Sequence, residues 1–224
     1  MKLRTTIVST LLLYQCYTGV LFANDVESRF QAAGLVDIST IDSSIKVDLV
    51  NSHPEKNFFN KDFYGGLNRA YLRKPVAERL SKAQEILRKQ RPSLSLLVLD
   101  AARPRSVSRS MYQTMKGTRF ENYVANPSKG SMHNYGIAVD ITIIDRHGEP
   151  LDMGPSPFYK SHTQIYWQYF LKKIGFKLSA EQARNRTILK DVMLKAGFYP
   201  LSHEWWHFNG MKKADARSEY SIIE

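Results

Sequence analysis

Apolar residues recur at helical spacing in three stretches of the chain and at strand spacing in three others. After Pro75, the residues Val76, Leu80, Ala83 and Leu87 fall three or four apart, with Glu78, Lys82 and Glu85 between them. This pattern predicts an amphipathic helix that Pro92 ends. Pro104 suits the first turn of a second helix, with Val107, Met111 and Met115 along one side. Ser179 followed by Gln182 is a capping-box pattern. It predicts a third helix carrying Ala183, Leu189, Val192, Met193 and Ala196, with Gly197 as its C-terminal cap. The runs at 94–101 and 137–144 read as strands, and 45–49 as a shorter one. Within 137–144, Ile137, Val139, Ile141 and Ile143 point to one face, and Ala138, Asp140 and Thr142 to the other. The rest of 24–70 is turn-rich, and 117–130 is a polar loop containing glycine. Helices and strands mix without a βαβ rhythm, and no repeat or Gly/Ser linker divides the chain. The expectation is one α+β domain.

The first 23 residues stand apart. Lys2 and Arg4 open the chain, a largely apolar run follows to Phe22, and small Ala23 precedes polar Asn24 and Asp25. This is the pattern of a secretory signal cleaved near residue 23, leaving a domain over 24–224 that is exported to the periplasm or secreted. Gln15 and Thr18 interrupt the apolar run, which is short for a bilayer span, so no stable membrane insertion is expected of the mature protein. Cys16, the only cysteine, lies inside this segment. The mature domain therefore has no disulfide, thiolate nucleophile or Cys-ligated metal. Lys plus Arg number 32 against 21 acids, a formal charge of +11. No basic block is interleaved with aromatics, so nucleic acid is not an expected partner. The excess reads as a solvated basic surface compatible with an anionic cell envelope.

Two short runs carry candidate chemistry, "SMHNYGIAVDI" at 131–141 and "EWWHF" at 204–208. Asp140 sits in an otherwise apolar strand, where a carboxylate needs a cation or several donors. His133 lies seven residues earlier, across a turn at Asn134 to Gly136. Glu204 and His207 form a second acid–imidazole pair among tryptophans. Two histidines, an aspartate and a spare glutamate suit zinc, which takes three protein ligands in catalytic sites and leaves a place for water. Zinc lowers the pKa of such a water to about 7, and a glutamate outside the ligand set can act as general base and acid. His53, His147 and His162 read as ordinary surface or hydrogen-bonded histidines.

Together, Ser-x-His-x-x-Gly-x-Ala-x-Asp and "EWWHF" resemble the D-alanyl-D-alanine dipeptidases of the VanX type, zinc peptidases that share a fold with zinc D,D-carboxypeptidases and the Hedgehog signalling domain. The resemblance runs from about Ile45 to Gly210. It includes "NFFNKDFYG" at 57–65, "DAARP" at 100–104, "LDMG" at 151–154 and "NRTILKDVMLKAGF" at 185–198. It implies a mixed, largely antiparallel sheet flanked by helices. It also implies one Zn2+ held by His133, Asp140 and His207, Glu204 as general base and acid on a zinc-bound water, and Arg103 steadying the oxyanion. Ser131 matches a serine lining the substrate pocket. The implied reaction is hydrolysis of D-alanyl-D-alanine to two D-alanines, with a small peptide as partner.

Two departures bear on this. Ala102 stands where the family has an aromatic before its arginine, which implies looser packing around Arg103. Tyr159 stands where the family has the aspartate that binds the substrate's free amino group. Export and Tyr159 in that place point to a runner-up reading, a D,D- or L,D-carboxypeptidase or endopeptidase acting on peptidoglycan stems. A further alternative is a zincin-type metalloprotease using His203-Glu204-x-x-His207, which requires a helix there. Pro200 and Asn209-Gly210 around this run argue for extended chain, with a bulge or twist to bring Glu204 and His207 to one face. Nothing in the sequence sets an oligomeric state.

Overall fold

The computed structural model describes residues 24–57, 59–118, 121, 126–155 and 177–224. The proposed leader, Tyr159 and His162 lie outside these residues. The strands are β1 (Leu35–Asp37), β2 (Lys46–Val47), β3 (Tyr71–Arg73), β4 (Ser95–Asp100), β5 (Ala138–Ile144), β6 (Tyr199–Leu201) and β7 (Glu204–Asn209). The helices are α1 (24–32), α2 (Ile38–Ile41), α3 (Lys74–Gln90), α4 (Arg105–Met115), α5 (Ala180–Lys195) and α6 (Lys213–Glu219), with 3-10 turns at Val50–Ser52 and Met132–Tyr135. A five-stranded sheet runs in the order β2-β4-β5-β7-β6. Its β2–β4 pair is parallel and its other neighbours are antiparallel, the mixed and largely antiparallel arrangement expected. β1 and β3 form a separate antiparallel ribbon.

The helices follow their sequence signals. Proline opens α3, whose buried residues include Val76, Leu80, Ala83 and Leu87, and which packs on α5 and β4. Ser179 and Gln182 close a reciprocal capping box at the start of α5. At its end Gly197 takes φ +92°, its N–H bonds Leu194 O, and Phe198 N–H bonds Met193 O, which is a Schellman cap. β5 is buried along its whole length. Ile141 and Ile143 meet Leu80, Leu87, Leu96 and Val98 in the main core, and Leu97, Leu99, Ile144 and Trp206 form a smaller cluster with Val50. Each such aliphatic contributes about 1.5–3 kcal/mol by leaving water. The turn at Asn209-Gly210 is also fixed by packing. A Cβ on Gly210 would meet Val76 Cγ1 at 2.5 Å, so only glycine lets β7 leave the sheet this close to α3.

Among the described residues no helix is long and apolar enough to cross a membrane. The segment 24–70 is more regular than its turn-rich sequence predicts. It holds α1 and β1, and β3 follows it directly.

Candidate metal centre

Three strands and one turn build the site. β4 carries a bulge: Val98 faces Ile141, but the next registered pair is Asp100 with Asp140. The extra residue turns Asp100 onto the face of Asp140, a common use of bulges beside functional sites. On the other side of β5, Asp140 lies directly opposite His207 of β7. Directly opposed residues share a face, so Asp100, Asp140 and His207 form one row across three strands. The 3-10 turn at Met132–Tyr135 adds His133. Ser131 caps the turn through its hydroxyl oxygen, and Gly136 closes it with φ +71°.

Both imidazoles are oriented by acceptors on their outer sides. His133 Nδ1–H donates to Ala101 O at 2.6 Å, and His207 Nε2–H donates to Asn209 Oδ1 at 3.1 Å. The lone pairs of His133 Nε2 and His207 Nδ1 are thereby turned toward each other, 3.2 Å apart. Asp140 Oδ1 lies 3.0 Å from His207 Nδ1 and 3.4 Å from His133 Nε2. All three side chains are buried. Two lone pairs and a carboxylate in such proximity repel unless a cation joins them. Zinc bonds of about 2.0–2.1 Å in a tetrahedron give ligand–ligand edges of about 3.3 Å, close to these separations. Carbonyl and amide acceptors behind the histidines are the usual outer partners of metal-bound imidazoles. The three residues fit a zinc ion.

Burial opposes the charged form of Asp140, but His133 and His207 outweigh it and hold the carboxyl below the ordinary carboxylate range. Burial likewise opposes the His207 imidazolium, and Asp140 outweighs it, so the His207 value is raised. The signs fix a pH dependence for metal-free protein. The raised His207 contributes stability that is fully present below its unfolded value of about 6.5 and is lost as pH rises through its folded value. The depressed Asp140 contributes stability present above about 3.9 and lost as pH falls through its own folded value. Chelator-treated protein is therefore expected to weaken as pH rises past the His207 transition. Zinc-loaded protein is expected to strengthen over the same range, because protons compete with metal for imidazole. Urea midpoints with and without chelator, between about pH 5 and 9, test this.

Glu204 opens β7, half-buried, with Oε2 3.8 Å from His207 Nδ1. It borders the three-residue cluster without belonging to it. The bulge or twist expected of this run is present: the β6–β7 register shifts between Pro200 and Leu201. Adjacent Trp206 and His207 also both reach the Asp140 side of the sheet, Trp206 against Leu97 and Ile144. His203 lies in a turn, 62% exposed, with its Nε2 3.5 Å from Glu204 Oε1. The zincin alternative is thus corrected. Residues 204–209 are strand, not helix, so no turn of helix stacks His203 on His207.

Arg103 approaches from the β4–α4 loop. Its Nε donates to Asp100 Oδ2 at 3.1 Å and its Nη2 bonds the same oxygen. Burial would lower its pKa, but Asp100, Tyr64 and Asp140 outweigh that and keep it charged. Ala102, which precedes it, is buried. Arg103 N–H donates to His133 O at 3.0 Å, and Asn134 Nδ2 donates to Arg103 O at 2.8 Å, lacing the loop to the His133 turn. Asp100, Asn134 and Asn209 were not singled out by sequence reasoning. Asn209 could have been, because it lies two residues beyond His207 on the same face of a strand.

A family model described as D-ala-D-ala dipeptidase, peptidase M15, matches residues 31–223. The D-alanyl-D-alanine dipeptidase of Escherichia coli (strain K12) is 31% identical over 176 residues, covering 78% of this chain and 83% of its own. The protein of that name from Synechocystis sp. is 30% identical over 176 residues, 65% of this chain and 71% of its own. A solved structure of the LdcB LD-carboxypeptidase aligns with TM-score 0.40 at 20% identity, over 68% of this chain and 67% of that one, a distant likeness.

Proposed function

Because this chain belongs to the D-Ala-D-Ala dipeptidase family of metallopeptidases, peptidase M15, we propose that it hydrolyses D-alanyl-D-alanine to two D-alanines with one zinc ion held by His133, Asp140 and His207. The observation that carries this reading is the convergence of two oriented imidazole lone pairs and a buried carboxylate within 3.0–3.4 Å. When bound, zinc supplies a water of pKa about 7 and polarises the carbonyl. Glu204 accepts the proton of the attacking water and returns it to the leaving amine as the C–N bond breaks. Arg103, charged and fixed by Asp100, faces the negative charge that develops on the carbonyl oxygen. Ser131, whose oxygen accepts from His133 N–H, keeps a hydroxyl hydrogen for the substrate. The leader-like segment at 1–23 supports export to the periplasm or medium.

Ligand assignment is tested by metal content. His133→Ala is expected to lose zinc sharply and His203→Ala to retain it; the reverse result sinks the three-ligand site. Substrate is tested by incubating zinc-loaded protein with D-Ala-D-Ala, its N-acetylated form and murein pentapeptides, and identifying the products. Two D-alanines from the free dipeptide are expected. Tyr159 in place of an acid favours tolerance of the acetylated form, because no buried carboxylate is left unpaired by it. Cleavage of the pentapeptides alone makes the protein a carboxypeptidase of stem peptides instead.

A further inference from the structure

Arg186 plays no part in the proposed chemistry, yet its surroundings are unusual. It lies on α5, partly buried, without a carboxylate ion pair among the described residues. Its Nε donates to Met153 O at 2.6 Å and its Nη2 to Pro155 O at 3.2 Å. Its guanidinium lies 5.3 Å from the ring centroid of Trp205. Trp205 Nε1–H donates to the same Pro155 O at 3.0 Å. Two earlier residues on this face of α5 hold the same loop: Gln182 Nε2 bonds Asp152 Oδ2 at 3.0 Å, and Asn185 Nδ2 bonds Asp152 O at 2.9 Å. Burial lowers the Arg186 pKa to about 10, so the group is still a cation at neutral pH. Two carbonyls and a ring face offset the partial desolvation of that cation.

The bracket sits where the sheet stops holding β7. The registered β5–β7 pairs run Ala138–Asn209, Val139–Phe208 and Asp140–His207. Glu204 lies three residues beyond the last of them, and its β6 partner, Leu201, follows a register shift. No hydrogen bond to a described residue holds its carboxylate; His203 at 3.5 Å and His207 at 3.8 Å are its charge contacts. His207 is thus fixed by the sheet, whereas Glu204 depends on its neighbour, Trp205. That indole is clamped by Pro155 O and Arg186, and meets Trp206 edge to face at 5.6 Å.

We infer that Arg186 is a positioning residue for Glu204, acting through Trp205 and the Met153–Pro155 carbonyls to fix the proton-transferring carboxylate beside the metal ligands. This rests on Glu204 being the general base. A guanidinium is suited to the task, because its planar fork can bond two carbonyls while stacking on an indole, which an ammonium cannot do.

The test uses zinc-loaded full-length protein and a double-mutant cycle. Arg186→Met is expected to keep zinc, change KM little and lower kcat by about 10- to 100-fold, the range for a misplaced reacting group. Arg186→Lys is expected to lose less. In a Glu204→Gln background the Arg186→Met change should add less than about threefold, because the group it positions is already gone. An undiminished kcat in Arg186→Met, or equal losses in both backgrounds, overturns the inference. If Arg186→Met does not fold, Arg186→Lys in both backgrounds decides in the same way. The two readings fail separately. Full turnover by Glu204→Gln removes the general base itself, whereas an inactive Glu204→Gln beside a fully active Arg186 variant removes only the role given to Arg186.

Discussion

Replacing Glu204 by glutamine is expected to leave zinc in place and lower turnover by about 10²- to 10⁴-fold, the usual contribution of a positioned acid-base group. Glutamine keeps the length and shape of glutamate but cannot accept the proton. The strand should tolerate it. Glu204 is 34% exposed, so its charge is not held in the interior, and β7 is anchored through His207 and Asn209 against β5. Zinc should remain because the close cluster is His133, Asp140 and His207, whose ligand atoms lie within 4.8 Å of one another without Glu204. Metal content and kcat measured on one preparation check both halves. Loss of zinc would make Glu204 a ligand, and unchanged turnover would require another base.

The parts of this site that were legible in the sequence are those whose placement depends on local rules. His133 precedes a turn that Gly136 closes, and Asp140 stands among aliphatics in a strand. A short range of chain contains the reason for each. α3 and α5 were legible for the same reason, since proline, a capping box and a Schellman glycine act within one turn of helix. Asp100 was not. Its face is set by the bulge at Leu99, which exists only because β4 pairs with β5. The β1–β3 ribbon was missed because three-residue strands carry too little alternation to read. The run 203–207 fits a helical zinc motif as a string, although Pro200 and Asn209-Gly210 argue for extended chain. The hairpin with β6 decides between them, and it puts His203 in a turn.

Asp100→Ala is expected to be the most damaging change outside the proposed metal ligands, lowering folding stability by about 3–5 kcal/mol, the cost of removing one partner from a largely buried charge pair. Asp100 is fully buried and accepts from Asn51 Nδ2 at 2.9 Å, Tyr64 OH at 2.8 Å, Ala101 N–H at 2.9 Å and both Nε and Nη2 of Arg103. Without the carboxylate, Arg103 keeps a partly buried charge with no anion bonded to it, and Tyr64 and Asn51 lose their acceptor. Burial and then the Asp100 charge push the Tyr64 phenol well above its ordinary value, so it stays a neutral donor and cannot take over as the anion. Against a total stability of about 5–15 kcal/mol, such a loss leaves little margin. The pairing makes the effect non-additive. Asp100→Leu combined with Arg103→Met removes both charges, and the double variant is expected to be destabilised by less than the sum of the two single changes. It should nevertheless lack activity, because the cation proposed to face the carbonyl oxygen is gone. Urea midpoints of the wild type, Asp100→Leu, Arg103→Met and the double variant measure the coupling, and that of Asp100→Ala measures the single cost. Additive losses, or an Asp100→Ala cost below about 1 kcal/mol, a value typical of exposed pairs, would mean that Arg103 is held by something other than Asp100.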